Sequence, residues 1–75
     1  MKVTDELLLE TAKRYGIAPG SLKSHAFALF DQGLSRAEVR YLLMRFRNPE
    51  KPRALAETIR RYELMWQERR AKEGS

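Results

Sequence analysis

Cysteine is absent from the chain, and histidine occurs once, at position 25. A disulfide and a thiolate zinc site are therefore excluded. Long hydrophobic runs are also missing, since the three consecutive leucines near the N-terminus are too few for a signal-peptide core or a membrane span. We expect a cytoplasmic protein that contacts no membrane and binds no metal, cofactor or small-molecule substrate, so that packing alone must stabilise its fold.

Catalytic patterns are missing as well. The sequence has no glycine-rich phosphate loop and no recognisable set of nucleophile, base and orienting group, and its carboxylates are scattered. With 75 residues, the chain can bury only about 60–65% of its unfolded surface, which disfavours a deep cleft. We therefore expect no enzyme, and we interpret His25, at the edge of an apolar helix face, as a packing or hydrogen-bonding residue.

Capping residues and apolar periodicity predict four helices. Ser35 and Glu38 form a capping-box pattern, Thr4 and Ser21 are N-cap residues, and glycine ends the first two helices. The predicted fold class is therefore all-α: a small four-helix domain with a helix-turn-helix-like core and a long C-terminal helix. Its predicted helices span residues 5–15, 22–32, 36–46 and 53–72.

The second helix is the most apolar and is predicted to be central. Proline at positions 49 and 52 disfavours helical backbone in the preceding residue, so Asn48 and Lys51 are expected to be extended. Apolar residues at helical spacing predict the core. They are Leu8, Ala12 and Tyr15; Leu22, Ala26, Phe27, Leu29 and Phe30; Val39, Leu42, Leu43 and Phe46; and Leu55, Ile59, Tyr62 and Trp66.

Charge is distributed unevenly along the chain. Residues 1–33 contain four basic and four acidic residues, so the whole net charge of +5 lies beyond residue 33. Residues 36–61 contain eight basic and only three acidic residues. Arg36, Arg40 and Arg47 fall on one stripe of the third helix, within about 40° of each other. Such a basic segment favours an anionic partner: nucleic acid, a membrane surface or an acidic protein.

Two short segments, Gly33-Leu34-Ser35-Arg36-Ala37-Glu38-Val39 and Thr58-Ile59-Arg60-Arg61-Tyr62, resemble a known motif. They are similar to the helix-turn-helix DNA-binding domains of the resolvase and invertase type and of related transcriptional regulators. In this alignment the second segment corresponds to the start of the recognition helix. The resemblance implies that this helix lies in the major groove of DNA.

An alternative alignment remains open. It takes the second and third helices, joined at residues 33–35, as the helix-turn-helix, with Arg36, Arg40 and Arg47 as the recognition face. The first alignment has Arg40 where a small residue is usual, and a long segment, residues 45–53, in place of a short turn. The second has the usual turn glycine but a bulky Leu29 where a small residue is usual.

Double-stranded DNA is the predicted partner, because Arg forks suit phosphates and guanine edges, whereas the aromatic residues mostly fall on core stripes. Transcription regulation or recombination accessory work is the predicted process, and binding to an acidic protein is the alternative. Groove contacts are predicted for Arg40, Arg60 and Arg61, and phosphate contacts for Arg36, Arg47, Lys51 and Arg53.

The C-terminal helix leaves room for a homodimer. Leu64 lies nearly opposite the predicted core stripe, and Met65 lies on its flank. Glu57 and Arg61 have the spacing and order of an ion pair within the helix.

Overall fold

A computed structural model, which describes residues 3–48 and 50–73, is built from four helices. They are α1 (Asp5–Tyr15), α2 (Leu22–Asp31), α3 (Arg36–Arg47) and α4 (Pro52–Glu73). The all-α class is confirmed, and each predicted helix boundary agrees to within one residue. Within these described ranges, no helix is long and apolar enough to cross a membrane.

Local capping explains why the helices begin where they do. Thr4 and Ser21 are extended, and their hydroxyls accept hydrogen bonds from the backbone N–H groups of Leu7 and Ser24. Gly16 ends α1 in the left-handed region at φ 66°, which glycine adopts without strain. Thr4, Ser21 and Gly16 thus have the capping roles that were predicted for them.

The end of α3 corrects one expectation. Asn48 is not extended but left-handed, with φ 43° and ψ 62°. Asparagine tolerates this conformation better than most residues, and such a residue is a common way to end a helix. The capping preference of Asn48 therefore prevails over the extended preference that the following proline imposes.

Helix α2 lies at the centre of the domain and packs against α1, α3 and α4. Every residue from Ser24 to Phe30 is buried, which confirms the prediction from its composition. Tyr15 of α1 packs edge-on against Phe27 with ring centroids 5.0 Å apart. The main core cluster joins α2 to α3 and α4 and consists of Ala26, Leu29, Phe30, Val39, Leu43, Leu55 and Ile59.

Helix α4 covers this core with one stripe. Leu55 and Ile59 are buried, while Tyr62 and Trp66 are partly buried and pack against the core cluster, as predicted. The Trp66 ring stacks on Phe30 at a centroid distance of 5.5 Å. The remaining surface of this 22-residue helix is mostly exposed, so α4 has a large face that the domain itself does not use.

Phe46 was predicted to join the core of α3, and this prediction is wrong. Its side chain is 66% exposed, whereas Val39 and Leu43 on the same stripe are fully buried. Phe46 lies in the last turn of α3, just before the chain turns at Asn48, and its ring lies instead beside the guanidinium of Arg45 at 5.8 Å.

Asp31, the last residue of α2, connects three helices. Its Oδ1 accepts hydrogen bonds from the Tyr15 hydroxyl at 2.6 Å and from Trp66 Nε1 at 2.7 Å. Arg14 and Arg70 also form ion pairs with its carboxylate, at 3.6 and 3.5 Å. Burial, followed by the hydrogen bond to Asp31, raises the pKa of Tyr15 and keeps its hydroxyl protonated as a donor. Asp31 thus holds α1 and α4 against the end of α2.

Candidate nucleic-acid interface

The start of α3 is fixed by reciprocal hydrogen bonds. The backbone N–H of Glu38 donates to Ser35 Oγ at 3.3 Å, and the backbone N–H of Ser35 donates to Glu38 Oε1 at 3.1 Å. This capping box confirms the predicted helix start. It also fixes the register of the arginines that follow on α3, because their angular positions are set by where the helix begins.

The stripe of three arginines predicted on α3 is engaged unequally. Arg36 Nε lies 3.2 Å from Glu63 Oε1 on α4, and Arg47 Nη2 donates to the carbonyl of Gly20 at 2.6 Å. These two side chains therefore tie α3 to its neighbours. Both partners are distant in sequence, and no local pattern pointed to them.

Arg40 remains available to a partner. It borders a shallow depression between α3 and α4, which Arg36, Ala37, Ala56 and Ile59 also line. The side chain is exposed, and no carboxylate of the described residues lies within ion-pairing distance of it. Small alanine side chains at positions 37 and 56 keep this depression open beside the guanidinium.

The start of α4 carries two cations, Lys51 and Arg53, with the exposed Glu50 just before them. Lys51 and Arg53 flank Pro52, and α4 has no acidic residue in its first turn, in contrast to α1 and α3. Lys51, Pro52, Arg53 and Ala54 line a shallow surface cavity of about 530 Å³. The two cations and the positive end of the helix dipole therefore have the same sign, an arrangement that attracts phosphate.

The two arginines in the middle of α4 lie on different faces. At about 100° per residue, Arg60 is on the same stripe as Arg53 and Ala56, whereas Arg61 lies about 100° further round the helix, as far from the core stripe as Arg60 but on its other side. Both are exposed. The site residues predicted from the sequence therefore fall into three groups. Arg36 and Arg47 are bound within the domain, and Arg61 is separate. The remaining four, which we call the basic face, are Arg40, Lys51, Arg53 and Arg60.

The members of the basic face share one property. Within residues 3–48 and 50–73, none of the four forms an ion pair with a carboxylate, and neither does Arg61. The predicted pair between Glu57 and Arg61 is likewise not formed among these residues. Unpaired cations on α3, on α4 and just before α4 produce a positive potential that a polyanion would feel.

An aromatic cluster lies on α3 outside the basic face. Tyr41 is 60% exposed, and its hydroxyl accepts a hydrogen bond from Arg45 Nη1 at 3.0 Å, while the Phe46 ring lies 5.8 Å from the same guanidinium. The sequence-based preference for duplex over single-stranded nucleic acid assumed that Phe46 was a core residue. The exposed Phe46 ring removes one reason for that preference, because an exposed aromatic side chain can stack on an unpaired base.

His25 is buried, with 7% of its surface exposed, and its Nδ1 has no hydrogen-bond partner within the described part of the chain. Burial and then the positive charge of Arg47 lower its pKa from the usual 6.5. A neutral imidazole in this position packs within the domain. The sequence predicted either a packing or a hydrogen-bonding role for His25, and this geometry fits packing.

The two helix-turn-helix alignments place their segments differently. Thr58 is the seventh residue of α4, so the Thr58–Tyr62 segment lies in the second and third turns and not at the helix start. Helices α2 and α3 pack together across a short turn in which Gly33 has φ 86°. The resemblance itself stays a prediction.

Comparison with known proteins assigns no family: no protein-family model, no curated protein and no solved structure matches this chain. Among the residues that the structure describes, no group of three or more His, Asp or Glu side chains is placed to hold a metal ion. The basic face, with exposed cations from α3, α4 and the residue before α4, is the candidate site.

Proposed function

We propose that this protein binds double-stranded DNA through the basic face, as a regulatory or recombination-accessory factor in the cytoplasm. The observation that carries the proposal is the set of four exposed cations, Arg40, Lys51, Arg53 and Arg60, none of which has a carboxylate partner among the described residues. Neutralising phosphates with such side chains releases counterions from DNA and favours binding.

The positions of these cations support a duplex partner. Arg53 and Arg60 lie on one stripe of α4 about two helical turns apart, and Arg40 of α3 borders the depression that Ala56 of α4 also lines. Cations on two packed helices are thus spread over a surface instead of along a narrow groove. Arg40 and Arg60 are the proposed groove contacts, and Lys51 and Arg53 the proposed phosphate contacts. Arg36 and Arg47 have secondary roles, because partners within the domain hold them.

Fluorescence anisotropy of a labelled random duplex, at about 50 and 200 mM salt, tests this proposal. Two phosphate contacts, from Lys51 and Arg53, would weaken binding by about tenfold between these salt concentrations. The double variant Lys51→Ala/Arg53→Ala should lower the slope of log affinity against log salt by about 1.8. A charge-matched control, Lys13→Ala/Arg69→Ala, removes two exposed cations elsewhere and should change the slope much less.

Two outcomes contradict the proposal. One is no binding to the duplex at the lower salt concentration. The other is tighter binding to a single-stranded oligonucleotide that Phe46→Ala weakens, because stacking on an exposed ring would then dominate. Equal losses of salt slope in Lys51→Ala/Arg53→Ala and in its charge-matched control would show that binding follows net charge only, and would remove Lys51 and Arg53 as specific contacts.

Binding to an acidic protein is the second candidate. It is favoured by Tyr41 and Met44, which are 60% and 39% exposed on α3 near Arg40, since apolar side chains beside cations suit a protein surface. A discrete complex with an acidic protein, lost in Arg40→Ala/Arg60→Ala, together with negligible duplex binding, would establish it. Homodimerisation through α4 is a further part of the proposal, and its geometry is developed below.

A further inference from the structure

The face of α4 turned away from the core has an unusual composition. Leu64 and Met65 are 53% and 38% exposed at its centre, and charged residues lie on both sides of them along the helix. Glu57, Arg61 and Glu68 lie with them inside an arc of about 100°, which is centred about 140° from the core stripe. An apolar centre bounded by charges of both signs is characteristic of a protein contact surface.

The order of charges on this face makes it self-complementary. Arg61 and Glu68 lie equally far, about 5 Å along the helix axis, from the midpoint between Leu64 and Met65. If two α4 helices lie antiparallel about a two-fold axis at that midpoint, Arg61 faces the partner's Glu68. Leu64 then lies beside the partner's Leu64 along one edge of the contact, and Met65 beside the partner's Met65 along the other. A parallel arrangement would instead bring like charges together, which is unfavourable.

The domain itself leaves Arg61 free for such a contact. No carboxylate of the described residues lies within ion-pairing distance of Arg61, although Glu57 is one turn away on the same helix. Glu57 and Lys72 are also equidistant from the midpoint and opposite in charge, but the inner pair is sufficient to define the register.

We propose that a second copy of this chain docks on the outer face of α4 in an antiparallel register, with Arg61 of each copy paired to Glu68 of the other around a Leu64 and Met65 centre. This assigns Arg61 to self-association and not to DNA. The inference specifies the proposed homodimer and does not depend on DNA binding. Because the apolar centre is small, the dimer is weak and forms in the micromolar range or above.

Reciprocal charge reversal tests this register by sedimentation equilibrium on the full chain. Arg61→Glu alone places Glu against Glu twice, and Glu68→Arg alone places Arg against Arg twice, so each should weaken self-association by about tenfold or more. An equimolar mixture of the two variants should recover it, because both contacts between the different chains are again of opposite charge. Lys13→Glu, which reverses an exposed cation on α1, is the matched control and should associate like the unmodified chain.

Each result has a definite consequence. Recovery in the mixture, with circular dichroism showing each variant folded, supports the register. Weakening without recovery, or association that neither reversal changes, overturns the register while the proposed homodimer survives. A chain that stays monomeric up to millimolar concentration overturns both. Duplex binding is measured separately, so its failure is distinguishable from either outcome.

Discussion

Helix α2 and the two helices that follow it differ in how many of their residues are buried. Seven consecutive residues of α2 are buried, whereas α3 buries only Val39 and Leu43, and the much longer α4 buries only Leu55 and Ile59. Charge follows the same division, since the excess of basic residues lies beyond residue 33. Helix α2 forms the interior, and α3 and α4 cover it with few residues, which leaves most of their surface for partners.

The largest expected effect separates two phenylalanines. Phe30→Ala should lower the free energy of unfolding by about 3–5 kcal/mol, because it removes a buried ring that stacks on Trp66. Phe46→Ala should change it by no more than about 0.5 kcal/mol, because that ring is 66% exposed. Urea denaturation followed by circular dichroism measures both. Similar losses in the free energy of unfolding from the two variants would show that Phe30 is no more important to the core than the exposed Phe46.

Asp31 gives the next largest effect. Asp31→Ala should cost about 2–4 kcal/mol, because the Tyr15 hydroxyl and the Trp66 indole would each lose a partly buried acceptor. The half-exposed partners Arg14 and Arg70 add little. Glu10→Ala, which removes an exposed carboxylate from α1, should be nearly neutral in the same denaturation measurement. An equally neutral Asp31→Ala would show that water replaces this acceptor.

The smallest expected effect is a pH dependence at the boundary between the two halves. The pKa of His25 is lowered in the folded state by burial and by Arg47, so the unfolded chain binds a proton first as the pH falls. The contribution of His25 is therefore complete above its usual pKa of 6.5 and is lost as the pH falls through the lower, folded value. Urea midpoints between pH 7.5 and 5 should decline for the unmodified protein.

His25→Gln is the control for this prediction. It removes the titrating group while keeping a polar side chain, so the difference in urea midpoint between pH 7.5 and 5 should shrink. An undiminished difference would assign the pH dependence to other groups. Arg47→Gln should also reduce the difference, by less, because the charge of Arg47 is the second cause of the shift after burial.

Local chemistry made the helices predictable. The capping box at Ser35 and Glu38 and the left-handed Gly16 depend on residues within a few positions of each other, and the structure has them as expected. The central position of α2 followed from composition, because a helix with so few polar residues can be stable only when surrounded.

Tertiary contacts decided what the sequence did not. Phe46 fits the apolar period of α3 as well as Leu43 does, yet only its distance from the packed part of the helix determines its exposure. Arg36 and Arg40 are equivalent in the sequence pattern of α3, but only Arg36 has a carboxylate partner among the described residues, Glu63 of α4. Asp31 gave one usable signal: an acidic residue at a helix C-terminus opposes the helix dipole and therefore suggests a compensating partner.

The contacts of Asp31 also bear on how the chain folds as it leaves the ribosome. Its acceptor oxygen serves Tyr15, made early, together with Trp66 and Arg70, made more than thirty residues later. Until those later residues emerge, Leu29 and Phe30 have no cover from α4. The nascent chain must therefore wait with its most apolar helix partly exposed, and a factor that shields apolar segments during translation would be most useful in the interval between the synthesis of α2 and that of Trp66.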